Sequence, residues 1–178
     1  LFLGVALWAF AEATVFFIVA DVPISAIGLA KGWKPALLAA LVCASAAALG
    51  GMLLAHWSAS DPAAIAALLD RVPGIDPAMI AHADAAWRDN GWPAMLQASF
   101  TGEPYKLYAH AAGAAGAPVA VFALQSVAAR LPRFLLVAAL SSTLGHFLRP
   151  RLSRVVLMTL YAAFWITFYA AYFALMAH

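Results

Sequence analysis

Charge is scarce in this chain. Lys, Arg, Asp and Glu make up 10% of its 178 residues, 66% are hydrophobic, and the mean hydropathy is +0.90. A soluble domain carries about 25% charged residues. Too few are present here to cover a water-facing surface, so the solvent around most of the chain is lipid. That excludes a cytoplasmic enzyme and a disordered regulator. A net charge of +2 with no densely basic stretch excludes a nucleic-acid binder. Cysteine is reduced to Cys43 in an apolar run, which excludes an intramolecular disulfide and a cysteine-rich metal site. The histidines, His56, His82, His110, His146 and His178, stand at no metal-ligand spacing, and His110, one turn from Lys106, reads as a helix-packing polar group. There is no P-loop and no Gly-x-Ser-x-Gly elbow. Pieces such as Leu144-Gly145-His146 and Arg149-Pro150 are too crowded and in the wrong order for a membrane phosphatase. Neither an enzyme nor a cofactor or metal is expected.

What is present is hydrophobic length. Residues 35–57 (PALLAALVCASAAALGGMLLAHW) and 155–177 have no charge and are long enough to cross about 30 Å of hydrocarbon as helices. A third span is expected over 117–148, with a break at Arg130-Leu131-Pro132-Arg133. The other apolar stretches are interrupted. Residues 1–20 contain Glu12 and run into Asp21-Val22-Pro23, and a short apolar arm follows to Lys31. Residues 91–101 break at Gly102-Glu103-Pro104-Tyr105-Lys106, and a small-residue arm completes the pattern at Gly116. These are two copies of one pattern, an apolar helix, a polar break with proline, and a shorter apolar arm. They read as re-entrant hairpins over 1–31 and 91–116, since irregular backbone at membrane depth needs protein or water around it. Two kinked spans joined by tight turns are the alternative. The chain begins at Leu1, which leaves room for a short leader; residues 1–20, with Glu12 and no basic start, do not read as a signal peptide.

Between the halves, 58–90 is the solvated stretch, with Asp61, Asp70, Asp76, Asp84 and Asp89 against Arg71 and Arg88. Two short amphipathic helices are predicted there, started at Ser60-Asp61-Pro62 and Asp76-Pro77 and lying at the interface. The second is expected to group Met79, His82, Ala83, Ala86 and Trp87 on one face. The loops at 31–34 and 147–154 collect Lys31, Lys34, Arg149, Arg151 and Arg154 without an acid, so the positive-inside rule places them in the cytoplasm and 58–90 on the opposite side.

Six charges fall at membrane depth, where each costs about 2.5–3.5 kcal/mol on insertion scales. Three are acids, Glu12, Asp21 and Glu103, and three are bases, Lys106, Arg130 and Arg133. Guanidinium forks match a phosphate better than a neutral solute, so Arg130 and Arg133, with Lys106 as a third donor, form a candidate headgroup seat. An acid held away from water favours its neutral form, which makes Glu12, Asp21 or Glu103 a candidate counter-charge and proton-coupling group. Internal ion pairs that merely brace a bundle are the alternative, and for Lys106 snorkelling to the interface is another.

Residues 100–116 (FTGEPYKLYAHAAGAAG), with Pro104-Tyr105-Lys106 and Ala111-Ala112-Gly113, are followed by Arg130 and Arg133-Phe134-Leu135-Leu136-Val137-Ala138. This combination resembles the YqaA-like branch of the DedA/VTT (SNARE-associated Golgi protein) superfamily. Glu12 followed by Asp21-Val22-Pro23 is similar to that family's early acid and proline turn. Glu103 stands where the family usually has an apolar residue, and the first turn has one proline where two are common. The resemblance implies two facing hairpins, broken at Pro23 and at Pro104 and Tyr105, inside a helical bundle in the bacterial inner membrane. It further implies flipping or scrambling of phospholipids or polyprenyl-phosphate carriers, with envelope homeostasis and dependence on the proton-motive force.

The expectation is an all-α integral membrane protein with about three transmembrane helices, two facing re-entrant hairpins and an amphipathic extramembrane segment. Its partners are membrane lipids, with a homo-oligomer left open. Its function is transport of an anionic, phosphate-bearing lipid. The rivals are a proton-coupled transporter of a small soluble ion or drug, and a non-transporting scaffold.

Overall fold

The computed structural model describes residues 1–176, which form nine helices and no strand. Residue 177, the last of the expected span 155–177, and His178 lie outside the described residues. In order, the helices are α1 (Phe2–Glu12), α2 (Asp21–Lys31), α3 (Trp33–Ser60), α4 (Pro62–Leu69), α5 (Pro77–Asn90), α6 (Trp92–Thr101), α7 (Tyr105–Ala114), α8 (Val119–Leu148) and α9 (Arg154–Met176). Three of them, α3, α8 and α9, are long and apolar enough to cross a membrane.

The order short, short, long occurs twice, as α1, α2, α3 and as α6, α7, α8. The short helices have 10 or 11 residues, about 15–17 Å at 1.5 Å per residue, roughly half a bilayer core. Within each triplet the first short helix leans on its own long helix, α1 on α3 and α6 on α8. The second short helix crosses over: α2 packs chiefly on α8 and α7 on α3, and α3 packs on α8 at the centre. The two halves are thereby interlocked.

Small residues permit that interlocking. On α3 the buried face is Ala39, Ala40, Cys43, Ala44, Ala47, Gly50, Gly51 and Leu54. Tyr105 of α7 lies over Gly51, and Gly113 lies against the Ala55 carbonyl so closely that a β-carbon would collide with it. With lipid as solvent, close packing of small residues replaces the hydrophobic effect as the attraction between helices.

Two expectations are corrected. The sequence puts the first break at Asp21-Val22-Pro23, but α1 ends at Glu12 and residues 13–20 carry the turn. Thr14 bonds back to the Phe10 and Ala11 carbonyls, Trp8 Nε1 donates to the Ile18 carbonyl at 3.1 Å, and the β-branched and aromatic run Val15-Phe16-Phe17-Ile18-Val19 is a poor helix former. Pro23 sits in the first turn of α2, where a missing N–H costs nothing. The second correction concerns Arg130-Leu131-Pro132-Arg133, which does not break α8: the helix runs through it from Val119 to Leu148. Pro132 points outward, and the carbonyl one turn earlier loses its donor while the ladder resumes on either side. By contrast the second break falls at Gly102, with φ 93°, then Glu103 and Pro104, the residue that precedes α7.

In the solvated stretch, Asp61 and Asp76 cap α4 and α5 by accepting from the Ala64 and Met79 amides at 3.0 and 2.8 Å. Helix α5 buries Ile80, Ala83 and Trp87, whereas His82, expected on that face, is exposed and turned towards Glu103.

Candidate functional site

Glu12, Asp21, Glu103, Lys106, Arg130 and Arg133 line one cavity of about 480 Å³. Four helices and the turn before one of them bring them there. Glu12 ends α1, Asp21 starts α2, and Glu103 and Lys106 straddle the start of α7. Arg130 and Arg133, three apart, share the face of α8 that meets both turns. The side chains thus come from positions up to 121 residues apart in sequence (Glu12 to Arg133).

The two arginines are held differently. Arg130 is buried, donates through Nη2 to Glu12 Oε2 at 2.6 Å, and lies between the rings of Tyr105 and Phe134, 4.3 and 4.9 Å from their centroids. Its Nε has no partner. Arg133 is fully engaged: Nε and Nη2 both donate to Asp21 Oδ2, at 3.0 and 2.5 Å, and Nη1 donates to the Ser99 carbonyl at 2.6 Å. Because both donors share one oxygen, Asp21 Oδ1 is left buried without a partner. Arg133 therefore ties α2 and α6 to α8, while Arg130 keeps donors in reserve beside one carboxylate.

Lys106 Nζ donates to the Phe16 carbonyl at 2.8 Å and so joins the second turn to the first across the cavity. It does not snorkel; it is buried. Tyr105 donates to Ser126 Oγ at 2.8 Å, which fixes the ring under Arg130. Glu103 stands nearer solvent. It accepts from Tyr108 at 2.7 Å and from Thr101 at 3.2 Å, with His82 Nε2 at 3.7 Å. Pro23 and Pro104 set the starts of α2 and α7; Pro104 lines the cavity and Pro23 does not. His110 packs with Ser58, 3.0 Å from Nδ1 to Oγ, away from this cluster.

The remaining wall was not among the expected site residues. Trp165, Phe168, Tyr169 and Tyr172 of α9 close one side of the cavity. The helix is tied on by its phenols. Tyr161 donates to the Val22 carbonyl and lies 3.0 Å from Ser25 Oγ, Tyr169 accepts from the Val19 amide at 2.9 Å, and Tyr172 reaches the Gly74 carbonyl at 3.5 Å. Otherwise α9 packs little against the bundle. A signal was available: Tyr161, Trp165, Tyr169 and Tyr172, at spacings of four, four and three, form an aromatic stripe on one helical face.

Chemically, the cavity sets a balanced group of formal charges, three acids and three bases, within a largely apolar lining. It offers spare guanidinium and ammonium donors, one spare carboxylate oxygen, and an aromatic side wall. No family model, curated protein or solved structure matches the chain.

Proposed function

We propose that this protein moves a phosphate-bearing lipid across the bilayer, as a DedA-like flippase or scramblase. The observation that carries the reading is the convergence of Arg130, Arg133 and Lys106 with Glu12, Asp21 and Glu103 on one cavity between two short helical hairpins. Each arginine rests on an acid. A phosphate headgroup enters between the hairpin turns, takes up the spare donors of Arg130 and Lys106, and then competes with Asp21 for Arg133. A proton on Glu12 or Asp21 releases the arginine it holds, which couples headgroup binding to a proton; Glu103, held by Tyr108 and Thr101, acts only as a nearby counter-charge. The acyl chains stay in the lipid and pass at the edge of α9, whose few ties to the bundle make it the natural side door.

In this reading α1 with α2, and α6 with α7, are re-entrant hairpins whose turns meet near the midplane. The loops at 31–34 and 147–154 face the cytoplasm of a bacterial inner membrane. A non-transporting scaffold is the second reading, favoured by the pairing of both arginines with acids.

Reconstitution into liposomes with a headgroup-labelled anionic phospholipid, read by an impermeant quencher, separates the two. Transport predicts loss of the protected inner-leaflet signal in wild type and slower loss in Arg130→Lys of normal stability. An unchanged inner-leaflet signal in the wild-type protein would leave the scaffold. Movement of a trapped soluble anion without lipid would favour the soluble-ion rival.

A further inference from the structure

The central cavity balances its charges, but the end of the molecule where α2 turns into α3 does not. Lys31, Lys34, Arg149, Arg151 and Arg154 gather at this end, and among the described residues none of them has a carboxylate within ion-pair distance. Here a groove of about 380 Å³ is lined by Trp33, Ser142, Thr143, His146, Phe147 and Arg149. Orientation of the chain in the membrane accounts for a basic loop; it does not account for a built groove.

Three features of the groove point to an anion. The N-terminus of α3, a 28-residue helix, opens on it without a side-chain cap; Pro35 has no N–H and the Ala36 amide donates to the Gly32 carbonyl at 3.2 Å, so the amides of Trp33 and Lys34 are the ones left to meet an acceptor. Gly32 precedes that helix at φ 85°, and the Arg149 guanidinium lies directly over the place where a β-carbon would stand, 3.2 and 3.3 Å from its two terminal nitrogens. Arg149 Nε is anchored on the Gly145 carbonyl at 2.9 Å, which leaves the terminal nitrogens for a ligand. Finally, Ser142 is 6% exposed, lines the groove, and its Oγ has no partner. A buried hydroxyl without a partner is costly, and an anionic oxygen would satisfy it.

The rim identifies the source of the anion. Trp33 and Phe147 are 50% and 56% exposed, at the ends of the two central spans, where amphipathic and aromatic side chains meet the bilayer interface. We infer that this groove is a second binding site, distinct from the central cavity, and that it holds the phosphate headgroup of an anionic lipid. The phosphate sits on the N-terminus of α3 between Arg149, Ser142 and Lys34, with its chains along Trp33 and Phe147.

The test uses the full chain in nanodiscs of phosphatidylcholine doped with brominated phosphatidylglycerol. Trp33 fluorescence is taken as the difference between wild type and Trp33→Phe. Quenching should saturate at a low fraction of the anionic lipid, while brominated phosphatidylcholine at the same fraction should quench far less. Arg149→Gln and Lys34→Gln, both at exposed positions, should each weaken the apparent affinity about tenfold. Ser142→Ala should weaken it less. Equal quenching by both lipids, or unchanged affinity in both charge variants, overturns the site. Relief of the quenching by millimolar inorganic phosphate would make the ligand a free anion and overturn the lipid assignment.

Discussion

Arg130 is the residue on which transport and bracing make opposite demands. It is buried, stacked between two rings, and holds Glu12 through one nitrogen. Lysine there keeps the charge but loses the planar fork, so Arg130→Lys should fold and melt near wild type while lipid movement falls at least tenfold in liposomes. Truncating its partner is a different experiment. Glu12→Ala leaves a buried guanidinium without its carboxylate and should cost about 3–5 kcal/mol, read by thermal unfolding in detergent. Combined with Arg130→Met, most of that loss should return, because no uncompensated charge remains. Arg133 predicts the reverse of Arg130. All of its nitrogens are engaged, two of them across helices to Asp21 and one to Ser99, so Arg133→Lys should destabilise the bundle as well as slow transport. If both lysine variants move lipid at the wild-type rate, the guanidinium seat is refuted.

Among the elements, α9 and α7 are attached in contrasting ways. Three tyrosine hydroxyls hold α9 to α2, to the first turn and to the loop at Gly74. Each Tyr→Phe change at 161, 169 or 172 should remove about 1 kcal/mol. The triple variant should expose α9 to a lipid-phase crosslinker without unfolding the remaining helices. Helix α7 is held by shape. A side chain at Gly113 would strike the Ala55 carbonyl, so Gly113→Val should push α7 away from α3 and cost at least about 1–3 kcal/mol. Failure of Gly113→Val to lower the melting temperature would contradict this packing.

For the molecule as a whole, the crossing of α2 onto α8 and of α7 onto α3 places the two turns face to face, with Lys106 on the Phe16 carbonyl. Cysteines at positions 16 and 106 should therefore crosslink with a short bifunctional reagent in membranes. Cys43 is fully buried and should not compete. The proposed orientation rests on the basic loops. In intact cells, cysteines at Lys34 and Arg151 should be shielded from an impermeant thiol reagent, and one at Asp76 should react. Labelling in the opposite sense would invert the orientation.

Much of this was legible in the chain. Long uncharged runs set α3 and α9, because lipid leaves the backbone no partner but itself. Asp61 and Asp76 before prolines marked the starts of α4 and α5, and the six charges that interrupt the apolar stretches were the ones that line the cavity. These are local or one-body costs, and sequence carries them directly. Which arginine met which acid, and that every nitrogen of Arg133 was engaged while Arg130 Nε was not, depended on helix crossings over more than a hundred residues. So did the continuity of α8 through Pro132, whose lost hydrogen bond the remaining helix tolerates, and the turn at 13–20, where side-chain bonds from Trp8 and Thr14 outweighed the proline eight residues beyond Val15. The aromatic wall of α9 belongs with them. Its stripe was visible in sequence, but the surface it would face existed only once α2 had crossed to α8, because a contact between distant elements has no local energy for a sequence to display.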